Sequence, residues 1–166
     1  MQSNSLLAVK ATIKSIEPVL LVGYKLPMSF ENNRTFELWN SFMPRRKEIT
    51  NTLNTDLYCV QEYEPDVVFN NATSFTKWAT APVSQFNSVP KDMHTITIPS
   101  GLYAVFTYKG LPANFAKTFN DIFFEWLPNS IYQLDNRPHF EILGSKYKNN
   151  DPTSEEDIYI PIKLKD

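Results

Sequence analysis

The sequence predicts an α+β domain in which two similar βαββ modules stand side by side, sharing an antiparallel or mixed sheet with both helices on one face. Three observations carry that prediction. The order strand, helix, strand, strand is read twice, over about residues 8–85 and again over about 93–164. Each helix carries an aromatic stripe that ends just before a proline. The 166 residues include only four glycines and no Gly/Ser tract, so nothing marks a linker and residues 1–166 read as one domain.

In the first half, Lys10 to Met28 alternates and then turns apolar (Ile13, Ile16, Val19, Leu21, Val22, Tyr24), the pattern of a leading strand. A helix follows, with Asn33 or Thr35 as its cap and Phe36, Trp39 and Phe42-Met43 as its stripe. Pro44 breaks it, with room for a further turn through Ile49. Leu57 to Tyr63 is a strand closed by Glu64-Pro65, and the fourth element lies around Phe75 to Ala79. In the second half, Thr95 to Pro99 leads through Gly101 into the strand Leu102–Tyr108. Pro112 opens a helix whose Phe115, Phe119, Ile122, Phe123 and Trp126 fall on one apolar stripe, and Pro128-Asn129-Ser130 stops it. An extended segment at Pro138–Leu143, a polar turn and the strand Asp157–Lys163 complete the repeat.

Composition narrows the function. Lys and Arg number 16 against 18 Asp and Glu, a net charge of −2, so the chain lacks the basic field of a direct nucleic-acid binder. Cys59 is the only cysteine, and it reads as a buried, inert thiol rather than part of a disulfide or a zinc or redox motif. His94 and His139 form neither HExxH nor HxH, which leaves no metal set and no cofactor motif. Met1 to Leu7 has no charged n-region and no long apolar run, and no stretch approaches 18 apolar residues. The expectation is a cytoplasmic protein with no membrane contact. What exceeds the ordinary is ring content: 12 Phe, 8 Tyr and 3 Trp, 14% of the chain.

Gly101-Leu-Tyr-Ala-Val-Phe, the helix with Phe115-Ala-Lys and Trp126-Leu-Pro, Phe140-Glu141 and Glu156-Asp-Ile-Tyr-Ile-Pro-Ile162 together resemble the GyrI-like effector-binding family. Leu38-Trp39, Phe42-Met43 and Arg45 are similar to its first-helix pattern, so the likeness runs from about Lys10 to Lys163. The same domain is the ligand-binding part of certain bacterial AraC-type and MerR-type multidrug-responsive transcription regulators. The resemblance implies two βαββ modules with a ligand cavity between them, lined by tyrosines and holding a glutamate at the position of Glu141. With no room for a helix-turn-helix domain, the expectation is a stand-alone member.

Strand alternation puts Glu141 and Leu143 on one face and Phe140 and Ile142 on the other. With Ile158, Ile160 and Ile162 turned toward the helices, Tyr159 is expected on the side of Glu141, on the helix-free face, together with Tyr103 and Val105. Trp78, in the repeat counterpart of the last strand, is expected to line the cavity from the opposite side. The candidate ligand-binding set is therefore Glu141, Tyr103, Tyr159, Trp78, Val105 and Leu143. A carboxylate among rings loses hydration, and an organic cation restores the balance by pairing with it and resting on ring faces. The leading expectation is thus a binder of lipophilic, often cationic, small molecules. The competing reading of Glu141 is an exposed strand residue or one paired with Arg137. Two further functions stay open: a hydrolase of strained, cyclopropane-bearing compounds in which Glu141 activates water, and an inhibitory protein partner of DNA gyrase. A protein partner, either a separate regulator that reads the bound state or a topoisomerase, stays open.

Overall fold

The first apolar run folds as two strands, not one. Pro18 has no N–H for a ladder, and the chain bends at Glu17-Pro18 between β1 (Thr12–Ile16) and β2 (Val19–Ser29). The second half repeats the device at Pro99-Ser100, between β5 (His94–Ile98) and β6 (Gly101–Lys109). The bends send each short strand to the opposite module: β1 pairs with β6, and β5 pairs with β2. This arrangement comes from a computed structural model that describes residues 9–166; the reading of Met1 to Leu7 and the first residue of the repeat lie outside the described residues.

Helix α1 (Thr35–Phe42) begins where Asn33 Oδ1 accepts hydrogen bonds from the Thr35 backbone N–H (2.9 Å) and hydroxyl (2.6 Å). It turns Leu38 and Phe42 into the core. Pro44 does not break it but stands early in a 3₁₀ continuation, Met43–Glu48, where a missing N–H costs nothing. The second helix is more irregular. A 3₁₀ turn at Pro112–Asn114 leads into α2 (Phe115–Asn120), which widens to π pitch over Asp121–Trp126 and ends in one α turn, Leu127–Asn129. Pro128 lies inside that last turn rather than stopping the helix. Lacking an N–H for the carbonyls one turn back, it is accommodated beside the π segment.

The remaining strands are β3 (Leu57–Glu62), β4 (Ser74–Val83), β7 (Tyr132–Leu134), β8 (His139–Leu143) and β9 (Glu155–Leu164). They join one sheet in the order β1-β6-β9-β8-β3-β4-β2-β5, with β7 beside β9 and every pairing antiparallel. The sequence does not announce β7. At the centre β3 pairs with β8, and Cys59 stands opposite Glu141. The repeat therefore meets itself at that pair.

Both sheet faces are packed. On the helix side, Leu38, Phe42 and Met28 form a core under α1, and Ile122, Phe106, Ile158, Ile160 and Ile162 form another under the second helix. Each fully buried side chain of this kind contributes roughly 1.5–3 kcal/mol. Because α1 rests on β2 and β4, away from the centre, the middle strands β3 and β8 are left open between the helices. The opposite face carries a third core of Leu21, Val60, Trp78, Tyr103, Phe140 and Tyr159, which Ile16 and Ile98 of the exchanged strands join.

Candidate functional site

The gap between the helices is a cavity of about 500 Å³, within the roughly 300–1,000 Å³ usual for small-molecule sites. Its floor is the middle of the sheet, where the ladder brings Glu141, His139, Gln61 and Lys77 to the helix side of β8, β3 and β4. Its walls are rings from both modules. Phe30, Tyr63 and Phe75 stand on one side, and Phe119 and Phe123 of the second helix on the other. Phe69, from the loop between β3 and β4, bridges them, with ring centroids 5.1 Å from Tyr63, 5.2 Å from Phe119 and 4.7 Å from Phe123.

Glu141 is the charged group at the centre of this floor. It is half-buried: it lies deep in the molecule yet keeps access to solvent through the cavity. Its Oε1 accepts a hydrogen bond from Gln61 Nε2 at 3.2 Å, and the same amide reaches Cys59 Sγ at 3.4 Å. Burial raises the Glu141 carboxyl above the ordinary carboxylate range, against the opposing pull of Lys77 and Gln61. Burial and then the charge of Glu141 push Glu156, on the same face of β9, up to about 8. Burial also pushes the Cys59 thiol up to about 12, so it stays protonated and unreactive. His139 is buried among Tyr63, Phe69 and Phe123, and its pKa falls to about 3 through burial and then the charge of Arg137, which keeps the ring neutral. Lys77 Nζ donates to Thr35 Oγ1 at 2.9 Å.

Of the six residues that the sequence singles out, Glu141 alone lines this cavity. The expectation that Glu141 shares the helix-free face with Tyr103 and Tyr159 does not hold. The β8–β9 register sets Glu141 beside Ile158 and Phe140 beside Tyr159, so Glu141 lies on the helix side and Tyr159 on the other. Tyr159 stacks on Phe140 (4.5 Å between centroids), and Tyr103 packs edge-on against both. Val105 joins the same core. Trp78 is there too, its indole N–H donating to Glu62 Oε1 at 2.6 Å. Leu143 shares the helix side with Glu141 but packs into the core under α1. Arg137 is not the partner of Glu141: it pairs with Asp135 at 3.0 Å, donates to the carbonyls of Leu102 and Ile162, and covers the Tyr103 ring at 4.5 Å. The cavity rings Phe30, Tyr63, Phe69 and Phe75 were missed as site residues. For Tyr63, Phe69 and Phe75 the signal was the density of rings in that segment; Phe30 carries none. Among the described residues, no three His, Cys, Asp or Glu side chains gather as a metal site, and no helix is long and apolar enough to cross a membrane.

Comparison with known proteins agrees with this architecture. The profile of the GyrI-like small molecule binding domain matches residues 10–163. The transcriptional regulator BrlR of Pseudomonas aeruginosa is 29% identical over 144 residues, which are 86% of this chain and 51% of the regulator. The chain thus spans about half the length of that relative. Among solved structures, the C-terminal domain of EcmrR superposes with a TM-score of 0.72 at 15% identity, covering 95% of this chain and 99% of that domain. SAV2435, solved with tetraphenylphosphonium bound, superposes with a TM-score of 0.64 at 16% identity, covering 93% of this chain and 94% of that one.

Proposed function

Because the chain belongs to the GyrI-like small molecule binding domain family, we propose that it binds lipophilic, cationic small molecules in the cavity between its helices, with Glu141 as the anchor. One observation carries the reading: a carboxylate that has no ionic partner among the described residues, at the floor of a ring-walled cavity. A bound cation removes the cost of that partly desolvated charge and gains ring contacts worth roughly 0.5–2 kcal/mol each. Few contacts are directional, so the site tolerates varied shapes. The likeness to BrlR supports a sensing role in which a transcription regulator reads the bound state. The test is a fluorescence titration of wild type and Glu141→Gln with an acridine-type cation. Losing a charge-assisted contact worth roughly 1.5–3 kcal/mol weakens binding about 10- to 100-fold. Equal affinity in both proteins would remove Glu141 from its role.

The enclosed position of the Glu141 carboxyl in the cavity favours one second reading, in which it activates water or donates a proton toward a strained electrophile. Turnover of an epoxide or activated cyclopropane, lost in Glu141→Gln, is the result that reading requires.

A further inference from the structure

The cavity holds a second charge, of opposite sign, that a simple cation leaves unanswered. Lys77 lines the same cavity as Glu141, yet neither takes part in any of the ion pairs among the described residues. Each has only an uncharged partner: Gln61 Nε2 donates to Glu141 at 3.2 Å, and Lys77 donates to the Thr35 hydroxyl at 2.9 Å. The ladder explains why they do not meet. Glu141 belongs to β8 and Lys77 to β4, with β3 between them, and Gln61 of β3 is paired with Lys77 on one side and His139 on the other. Two strand spacings of about 4.8 Å, with the two-residue offset between Glu141 and the Lys77 row adding about 6.8 Å along the strand, put roughly 12 Å between their backbones. The sheet thus holds an acid and a base apart, and the ring-walled space above them is large enough for a ligand to reach both.

We infer that the cavity takes an aromatic zwitterion, whose cationic end meets Glu141 and whose carboxylate meets Lys77. This rests on the reading of Glu141 as the cation anchor and sharpens it. A plain lipophilic cation satisfies Glu141 but brings a positive charge toward a lysine that has no counter-ion. A ligand with a carboxylate at its far end turns that repulsion into a charge-assisted contact. Lys77 suits the role: its ammonium has three donors, of which one hydrogen bond, to Thr35, is made in the folded domain. Asn33, whose side chain fixes the Thr35 hydroxyl at 2.6 Å, lines the cavity beside it and adds an amide to the same end.

A matched pair of dyes tests the inference. Rhodamine 110 carries a free carboxylate, and rhodamine 123 is its methyl ester, with the same ring system and cationic charge. Fluorescence anisotropy with the full chain should show the free acid binding about tenfold tighter than the ester, the size of one charge-assisted contact at a partly solvated site. Lys77→Met should remove that preference. Ester binding as tight as acid binding in wild type overturns the inference, and that comparison needs no variant to fold. A preference that survives intact in a folded Lys77→Met overturns it too. Glu141→Gln separates the two layers. If the ester weakens in that variant while wild type shows no preference for the acid, the cation site stands and the zwitterion falls. If neither dye responds to Glu141→Gln, the anchor falls and the inference with it.

Discussion

Replacing His139 by phenylalanine should flatten the acid limb of the stability curve of this domain. The ring is buried against Tyr63 (4.8 Å) and Phe123 (5.9 Å), and its side chain makes no hydrogen bond among the described residues, so phenylalanine loses little at neutral pH. The unfolded imidazole takes its proton near 6.5, the folded one only near 3. Between those values the unfolded chain holds the extra proton, so stability falls as pH falls, by up to ~1.4 kcal/mol per pH unit. Glu156 has the opposite sign. Its carboxyl rises from 4.5 to about 8, so its contribution is complete below 4.5 and is lost as pH rises toward 8. Above 4.5 the loss from Glu156, joined by that from the raised Glu141 carboxyl, opposes the His139 slope. Below 4.5, where the two carboxyl contributions are complete, the 1.5 pH units down to 3 cost about 2 kcal/mol through His139, or ~4–8 °C in Tm for a domain of this size. Asp135, whose burial is outweighed only by the hydrogen bonds from Arg137 and the Asn136 backbone together with the nearby positive charges, adds to the acid loss in both proteins and drops out of the difference. Calorimetry from pH 3 to 9 is the assay. The Tm of His139→Phe minus that of wild type should be near zero at pH 7 and grow steadily below 6.5, while Glu156→Gln should gain on wild type as pH rises above 4.5. An acid decline in His139→Phe parallel to that of wild type would refute the argument.

Three other outcomes are expected. Gly23→Ala should prevent soluble folding or cost well over ~3 kcal/mol, because the added methyl falls on the Ala79 carbonyl oxygen, backbone that cannot yield; recovery of folded protein after expression is the check. Glu141→Gln should melt higher than wild type at pH 7, since burial disfavours the charged carboxylate at that position, and binding sites trade stability for function; calorimetry of the two proteins is the check. Phe69→Ala should weaken binding of planar aromatic cations about 2- to 10-fold, the ~0.5–1.5 kcal/mol of a ring contact, while moving the denaturation midpoint less than a core truncation such as Phe42→Ala, at ~3–5 kcal/mol.

Much of this fold is written locally. The order of strands and helices, the stripe of the second helix and the inward face of Ile158, Ile160 and Ile162 follow from periodicity that each segment carries in itself; in α1 the expected stripe shifts, with Leu38 and Phe42 buried and Phe36 and Met43 exposed. Glu141 was legible for the same reason: a lone acid in an apolar strand stands out. Its surroundings were not, because they depend on pairing between distant segments. Whether Tyr159 or Ile158 lies beside Glu141 is set by the β8–β9 register across the eleven residues from Gly144 to Ser154, and a one-residue difference flips every side chain. The assumption that the helix face is wholly core also failed. Each helix covers its own half, and the gap between them turns the centre of that face into a floor for polar groups. The exchange of β1 and β5 hangs on two prolines that read equally well as ordinary turns. The rings at Phe30 and Phe69 lie outside any periodic element, where no pattern says which way they point.

The central claim, that the cavity between the helices is the ligand site, is tested most directly by a crystal structure of the domain with tetraphenylphosphonium. The account predicts the cation among Phe69, Phe119 and Phe123 with its charge toward the Glu141 carboxylate. Density instead against Tyr103 and Tyr159 on the opposite face, or an empty cavity at saturating ligand, would contradict it.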